Sequence, residues 1–113
     1  MAFLLILYLV SGTLLTALSI PLILRRIPPN GLYGFRAPAT LSNPDLWYKV
    51  NTYAGKRLLA VGLATVVAAA ALYAIPGLTV DAYALDCAGV TLGLLAIGLV
   101  QSFLYLRSLT PRP

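Results

Sequence analysis

The amino-acid sequence predicts an all-α membrane protein: three transmembrane helices, with an ordered cytoplasmic loop and an interfacial helix between the first two. Composition is the first reason. Hydrophobic residues make up 60% of the 113 positions and charged residues 10%, against about 25% charge in a soluble domain, so the chain cannot coat a water-facing surface. Spacing is the second. Three long apolar stretches contain no charged side chain: 23 residues (2–24), 18 residues (58–75) and 20 residues (87–106). A helix needs roughly 20 apolar residues to cross a hydrocarbon core about 30 Å thick. The third reason is that these stretches lack polar faces: 58–75 holds only Thr65 and Tyr73 as polar side chains. A helix apolar on every side belongs in lipid, whereas a soluble bundle needs polar faces. The length fits one membrane domain, 1–113.

The first span, 2–24, opens at an N-terminal Met-Ala-Phe without a cationic side chain and is followed by arginines. A cleaved signal peptide has the reverse order and a shorter apolar stretch, so the segment reads as a retained helix. Pro21 lies inside it and removes one backbone bond, a cause of kinking. The loop 25–57 follows. Pro28-Pro29-Asn30-Gly31 blocks helix and favours an extended stretch and a turn, and Gly34 and Pro38 continue the irregular chain. Asn43-Pro44-Asp45 is a helix start, with Asn43 as N-cap, Pro44 at the first helical position and Asp45 facing the positive end of the dipole. From Pro44 to Ile75 the pattern stays helical for 32 residues, about 48 Å if straight and longer than the hydrocarbon core. Its first part, as far as Gly55, should therefore lie along the cytoplasmic interface, where Trp47, Tyr48 and Tyr53 suit the headgroup level. A bend at Gly55 and a single long tilted helix both satisfy this pattern. Lys56 and Arg57 can snorkel at the start of the second span, 58–75.

Pro76-Gly77 stops the second span, and 76–86 forms a short external turn. Thr79 can cap a helix opening at Val80, which contains the third span, 87–106, and runs to about Leu109; Pro111 and Pro113 end the chain. Gly89 and Gly93 form a GxxxG pair, and Ala64, Ala68 and Ala71 mark a small-residue face. Such faces serve close packing within a chain or between copies; packing is the preferred reading, since a three-helix protein must first make its own bundle. Gln101 and Ser102 fall near the cytoplasmic end of the third span, where Gln101 can bond across helices beneath the loop or simply reach the interface.

Charge sets the orientation. The loop carries Arg25, Arg26, Arg36, Lys49, Lys56 and Arg57 against Asp45, a net of +5; the turn carries Asp81 and Asp86; the tail adds Arg107 and Arg112. Basic segments stay cytoplasmic, so the N-terminus is expected outside and the loop and C-terminus inside, in the cell (plasma) membrane. Topology and contact with anionic lipid account for the basic charge; no nucleic-acid-binding module accompanies it. With no histidine and one cysteine, the common zinc sites and histidine-ligated haem are ruled out. No metal or cofactor is expected, and Cys87 reads as packing.

The loop is long, yet rich in proline, glycine and aromatic residues rather than flexible filler. Pro29-Asn30, Gly34, Arg36, Pro38 and Thr40 lead into Trp47, Asn51 and Gly55. The stretch from Arg26 to about Gly62 resembles the signature of the SdpI family of small integral membrane proteins, which reads roughly P-N-x-x-x-G-x-R-x-P-x-T, then W-x-x-x-N-x-x-x-G. The chain is similar to the short, three-span members. It departs at Ala37, where many members carry threonine, so no hydroxyl acts there. The resemblance implies a membrane immunity protein that protects against a secreted antimicrobial peptide, holds a soluble transcriptional repressor at the membrane, or both, with a place in signalling. The family's named member is longer, with extra spans before the shared region.

The residues support their own reading. Trp47, Asn51 and Gly55, at i, i+4 and i+8, share a helical face. Gly55 leaves room for a neighbouring chain, and Asn51 can bond the irregular backbone of 28–36, whose polar groups need partners. Arg36 can clamp carbonyls, a lipid phosphate or a carboxylate. The candidate partner- or ligand-binding residues are thus Pro29, Asn30, Gly34, Arg36, Thr40, Trp47, Asn51 and Gly55. Asn30 and Gly34 lean toward scaffold, as turn residues, and Arg36 and Trp47 toward contact. An interaction protein is the first reading, a homo-oligomer being compatible with it. The alternative is a small membrane enzyme or an oligomeric transporter. Against catalysis, the chain has no His or Glu, and Asp45 already has a role at a helix start; Tyr33, Lys49 and Lys56 would need shifted environments. Against transport, no span holds an ionisable residue at mid-membrane; a water-filled cavity lined by Thr13, Thr16 or Gln101 would favour it.

Overall fold

The computed structural model describes residues 1–109, so Pro111, Arg112 and Pro113 lie outside the described residues. Its helices are α1 (Ala2–Ile23), α2 (Pro38–Leu41), α3 (Pro44–Tyr73) and α4 (Val80–Leu109). Three of them, α1, α3 and α4, are long and apolar enough to cross a membrane. The chain is an all-helical membrane protein.

Local chemistry sets the boundaries. Pro21 is accommodated inside α1. The helix ends in a Schellman motif: Arg25 N–H bonds the Leu22 carbonyl at 3.2 Å and Arg26 N–H bonds that of Pro21 at 2.9 Å. Arg25 takes the left-handed conformation that motif requires, with φ of 60°, at a cost of about 1–2 kcal/mol for a residue with a Cβ. Asn43 caps α3, its Oδ1 accepting from Asp45 N–H at 3.0 Å and Leu46 N–H at 3.4 Å. At α4 the Thr79 hydroxyl oxygen accepts from Ala82 N–H at 3.1 Å. One expectation is corrected. Pro38 does not continue an irregular chain but opens α2, a single turn with proline at its first position.

The three long helices do not close into the bundle expected from the sequence. α3 is central, with α1 on one flank and α4 on the other; α1 and α4 meet only at one end. The molecule measures 55 × 27 × 18 Å, so helices about 10 Å across lie nearly in a row rather than in a closed bundle. The α1–α3 contact turns on Gly12 and Gly62. A Cβ at Gly12 would lie 2.7 Å from Val66 Cγ2 and 2.8 Å from the Gly62 carbonyl oxygen, and one at Gly62 would lie 2.7 Å from Thr16 N. Gly89 and Gly93 face open space. The reason is angular: α4 buries Tyr83, Cys87, Gly98, Ser102 and Leu106, and position 89 sits about half a turn from 87. On α3 the buried line runs through Val61, Gly62, Thr65 and Ala69, leaving Ala71 exposed.

Polar groups within the layer are paired, as lipid demands. Thr65 donates to the Val61 carbonyl, and its hydroxyl meets that of Thr91 on α4, both at 2.8 Å. Tyr83 donates to the Ala69 carbonyl at 2.9 Å and Tyr8 to that of Ala84 at 3.1 Å. The Tyr8 and Tyr73 rings meet Tyr83 edge-on. Cys87 packs with Ala69 and Tyr83 in this cluster.

The glycine contact generates the first prediction. Gly12→Ala should destabilise the protein by about 1–3 kcal/mol through overpacking. Gly93→Ala should be neutral. Thermal unfolding in detergent, followed by circular dichroism, checks the contrast.

Candidate functional site

The segment between α1 and α3 has few ladder partners of its own, so its polar groups are met by side chains. Asn30 orders the first turn. Its Oδ1 accepts from the N–H groups of Leu32 (2.9 Å) and Tyr33 (2.7 Å). Its Nδ2 donates to the carbonyls of Pro28 (2.8 Å) and Tyr33 (3.0 Å). Pro29 precedes it, half-buried. Arg36 reaches back to the Gly31 carbonyl. The Tyr33 phenol donates to the Leu18 carbonyl of α1. Burial raises the Tyr33 pKa above its ordinary value near 10, so the phenol stays a donor at neutral pH.

The second half of the segment hangs on α3. Asn51 Oδ1 accepts from Phe35 N–H at 2.5 Å, while its Nδ2 donates to the Phe35 carbonyl at 3.2 Å and the Trp47 carbonyl at 3.0 Å. One amide thus satisfies both backbone groups of Phe35, as a neighbouring strand would. Trp47 Nε1 donates to the Ile27 carbonyl at 2.7 Å. Gly34 has φ of 109°, and a Cβ there would lie 2.7 Å from Asn51 Oδ1 and 3.2 Å from the Trp47 ring; both conformation and space require glycine. Gly55, a turn further on, lets α1 approach, since a Cβ would lie 3.0 Å from Leu22 and Ile23 side-chain atoms. Thr40, fully buried, accepts from Ala37 N–H at 2.8 Å. That is half of a capping box, because Ala37 has no side-chain oxygen to return the bond.

The structure therefore brings Gly34, Trp47 and Asn51 into direct contact, with Gly55 continuing the same buried face of α3. Trp47 is wholly buried and presents no surface, whereas Arg36 is exposed. Pro29, Asn30 and Thr40 order the chain on either side. Residues that the motif did not point to complete the arrangement. Phe35 meets Phe103 of α4 edge-on, with ring centroids 6.5 Å apart. Tyr53 stacks on Tyr105 at 4.5 Å, and Arg57 lies over Tyr53 at 5.0 Å. Their signal was available in part, since Tyr53 and Arg57 are i and i+4 on one helix; the matching positions on α4 carried none. Ser102 turns inward and bonds the Gly98 carbonyl at 2.7 Å. Thr16 packs against Gly62, and Thr13 is exposed on α1.

Under the loop lies a cavity of about 240 Å³, walled by Leu22, Phe35, Arg57, Leu58, Leu95 and Leu99 among others. An open recess of about 450 Å³ adjoins it, sharing Gly34, Phe35 and Leu99 and adding Arg36 and Leu41. No group of three or more His, Cys, Asp or Glu residues that could hold a metal occurs among the described residues.

A family model for the SdpI/YfhL protein family matches residues 26–106. The chain belongs to this family. The match begins where α1 ends and continues through α3 and nearly all of α4. The SdpI/YfhL match thus covers the loop together with two of the three helices that line its cavity. Neither a curated protein nor a solved structure matches the chain.

Asn51 generates the second prediction. Asn51→Ala leaves the Phe35 N–H unpaired and the Phe35 carbonyl with only the Thr40 hydroxyl at 3.4 Å, and should cost about 2–3 kcal/mol. Unfolding in detergent checks the loss of stability, and tryptic cleavage after Arg36 should become at least tenfold faster as the loop loosens.

Proposed function

We propose that this protein is an interaction protein of the cell membrane that protects against a membrane-active toxic peptide, with its N-terminus outside and its basic loop and C-terminus in the cytoplasm. Capture of a soluble regulator on the loop is the second activity compatible with this surface. The observation that carries the reading is the SdpI/YfhL match over the loop, α3 and α4, a family associated with immunity. Two features add support. The loop is held by Asn51, Trp47 and Asn30 in one conformation, so binding a partner there requires little ordering entropy. Its outer surface is amphipathic: Arg36 lies beside Leu41, and Leu32 is 95% exposed. Fixed apolar and cationic groups suit a partner that is itself amphipathic.

Within this reading Asn30, Gly34, Thr40, Trp47, Asn51 and Gly55 build the platform and Arg36 and Leu32 form its contacting surface, with Pro29 setting the turn. The excess of cations in the loop over the 76–86 turn supports the orientation.

Two experiments follow. Single cysteines placed at Ser42 and at Ile75, in a Cys87→Ala background, should be labelled by an impermeant maleimide from opposite sides, Ser42→Cys only in inverted vesicles. Labelling of Ser42→Cys in intact cells overturns the orientation. For function, expression in cells sensitive to a secreted membrane-active peptide should raise survival at least tenfold. Leu32→Ser and Arg36→Ala, both at exposed positions, should lose that protection while still reaching the membrane. Unchanged survival with the parent protein overturns the immunity reading.

A further inference from the structure

We infer that the cavity beneath the loop, together with the arginine-bearing recess beside it, is a site for one anionic phospholipid: an acyl chain enters the cavity and the phosphate is held by Arg57 and Arg36. This goes beyond the immunity reading and holds whether or not the chain protects against a peptide.

Size decides the apolar part of the occupant. The cavity holds about 240 Å³, below the roughly 300–1,000 Å³ of ordinary small-molecule pockets. A peptide helix, about 10 Å across, does not enter it; a single hydrocarbon chain does. Its walls are mostly apolar, with Leu22, Leu58, Val61, Leu95 and Leu99 among them, so it offers a hydrocarbon chain a packing surface and water few partners. The space exists because of the fold. α1 and α4 touch at the Tyr8–Ala84 end, and at the other end the loop stands between them, with Tyr33 bonded to α1 and Phe35 against Phe103 of α4.

Charge decides the polar part. In a bilayer an acyl pocket alone selects nothing, because lipid tails are as apolar as leucine; the headgroup must supply the preference. Arg57 lines the cavity and has no hydrogen-bond or ion-pair partner among the described residues. Its guanidinium rests on the Tyr53 ring, itself stacked on Tyr105. A cation over a ring face uses none of its five N–H donors, which remain for a phosphate. Arg36 lines the adjoining recess and spends one donor on the Gly31 carbonyl, out of five. Arg25, Arg26, Lys49 and Lys56 lie at this end of the helices, where Asp45 is the one acidic side chain among the described residues, so the charge there favours an anionic headgroup over a zwitterionic one.

The one tryptophan reports on the site, since the Trp47 ring abuts Gly34, which lines both spaces. The full chain is reconstituted in phosphatidylcholine nanodiscs containing either phosphatidylglycerol or phosphatidylcholine with brominated acyl chains at equal mole fraction, and Trp47 quenching is measured. The brominated phosphatidylglycerol should reach half-maximal quenching at a mole fraction at least threefold lower. Arg57→Gln combined with Arg36→Gln should abolish that preference, Arg57→Lys should retain part of it, and Ala54→Leu, which fills the cavity, should reduce quenching by both lipids. Helicity by circular dichroism establishes that each variant is folded. Equal quenching by the two lipids in the parent protein overturns the proposal, as does a preference that survives in the folded double variant. Reversal by millimolar glycerol phosphate with no loss in Ala54→Leu identifies a site for a free phosphate anion and overturns the lipid assignment.

Discussion

The bonds between Asn51 and Phe35 are the constraint on which the rest of the loop depends. A chain that leaves one transmembrane helix and enters another through an irregular segment must find partners for its backbone polar groups, because at the membrane boundary water is scarce and an unpaired group is costly. Asn51 offers an acceptor and a donor on one rigid amide, and Phe35 receives both. For that amide to reach the backbone, nothing can stand between them, which is why position 34 carries no side chain. Trp47 then closes the other edge by bonding the Ile27 carbonyl. The motif residues form one device rather than separate sites.

That device has consequences across the helices. Because the loop is drawn onto α3, Tyr33 and Phe35 are delivered between the ends of α1 and α4, and the two flanking helices are kept apart there. At the opposite end the tyrosines bring them together. The layer is thus closed at one end and wedged at the other, and the apolar cavity is the space the wedge leaves. The close approach of α1 to α3 at Gly12 and Gly62 anchors both ends, since without a hydrophobic driving force in lipid, helices associate by intimate packing and internal hydrogen bonds.

Legibility in the sequence varied with the range of the interaction. Local signals were plain: the Asn43-Pro44-Asp45 start, the Thr79 cap and the Pro76-Gly77 stop all act within a few residues and correspond to observed helix ends. The shared face of Trp47, Asn51 and Gly55 was legible because helical geometry dictates it. The end of α1 was legible from the arginines that follow the apolar stretch, although its Schellman motif puts Arg25 where glycine is usual. The turn of helix at Pro38 escaped because Thr40, the residue that fixes it, acts from inside a segment dominated by breakers. The glycines misled. Gly89 and Gly93 match a known pairing pattern yet face outward, while Gly12 and Gly62, 50 positions apart, form no pattern at all.

By itself the sequence determined that this is a membrane protein with three spans, where its three long helices start, and which loop carries the family's signature. These follow from hydrophobic length, charge placement and capping, properties of contiguous residues that no partner helix can change. Only the tertiary structure decided which face of each helix is buried, that the three spans lie in a row about α3, and that the aromatic residues of the loop hold open a cavity walled by Arg57. Those outcomes depend on contacts between residues far apart in the chain. In a span that is apolar on every side, the hydrophobic pattern does not distinguish a face that meets protein from one that meets lipid.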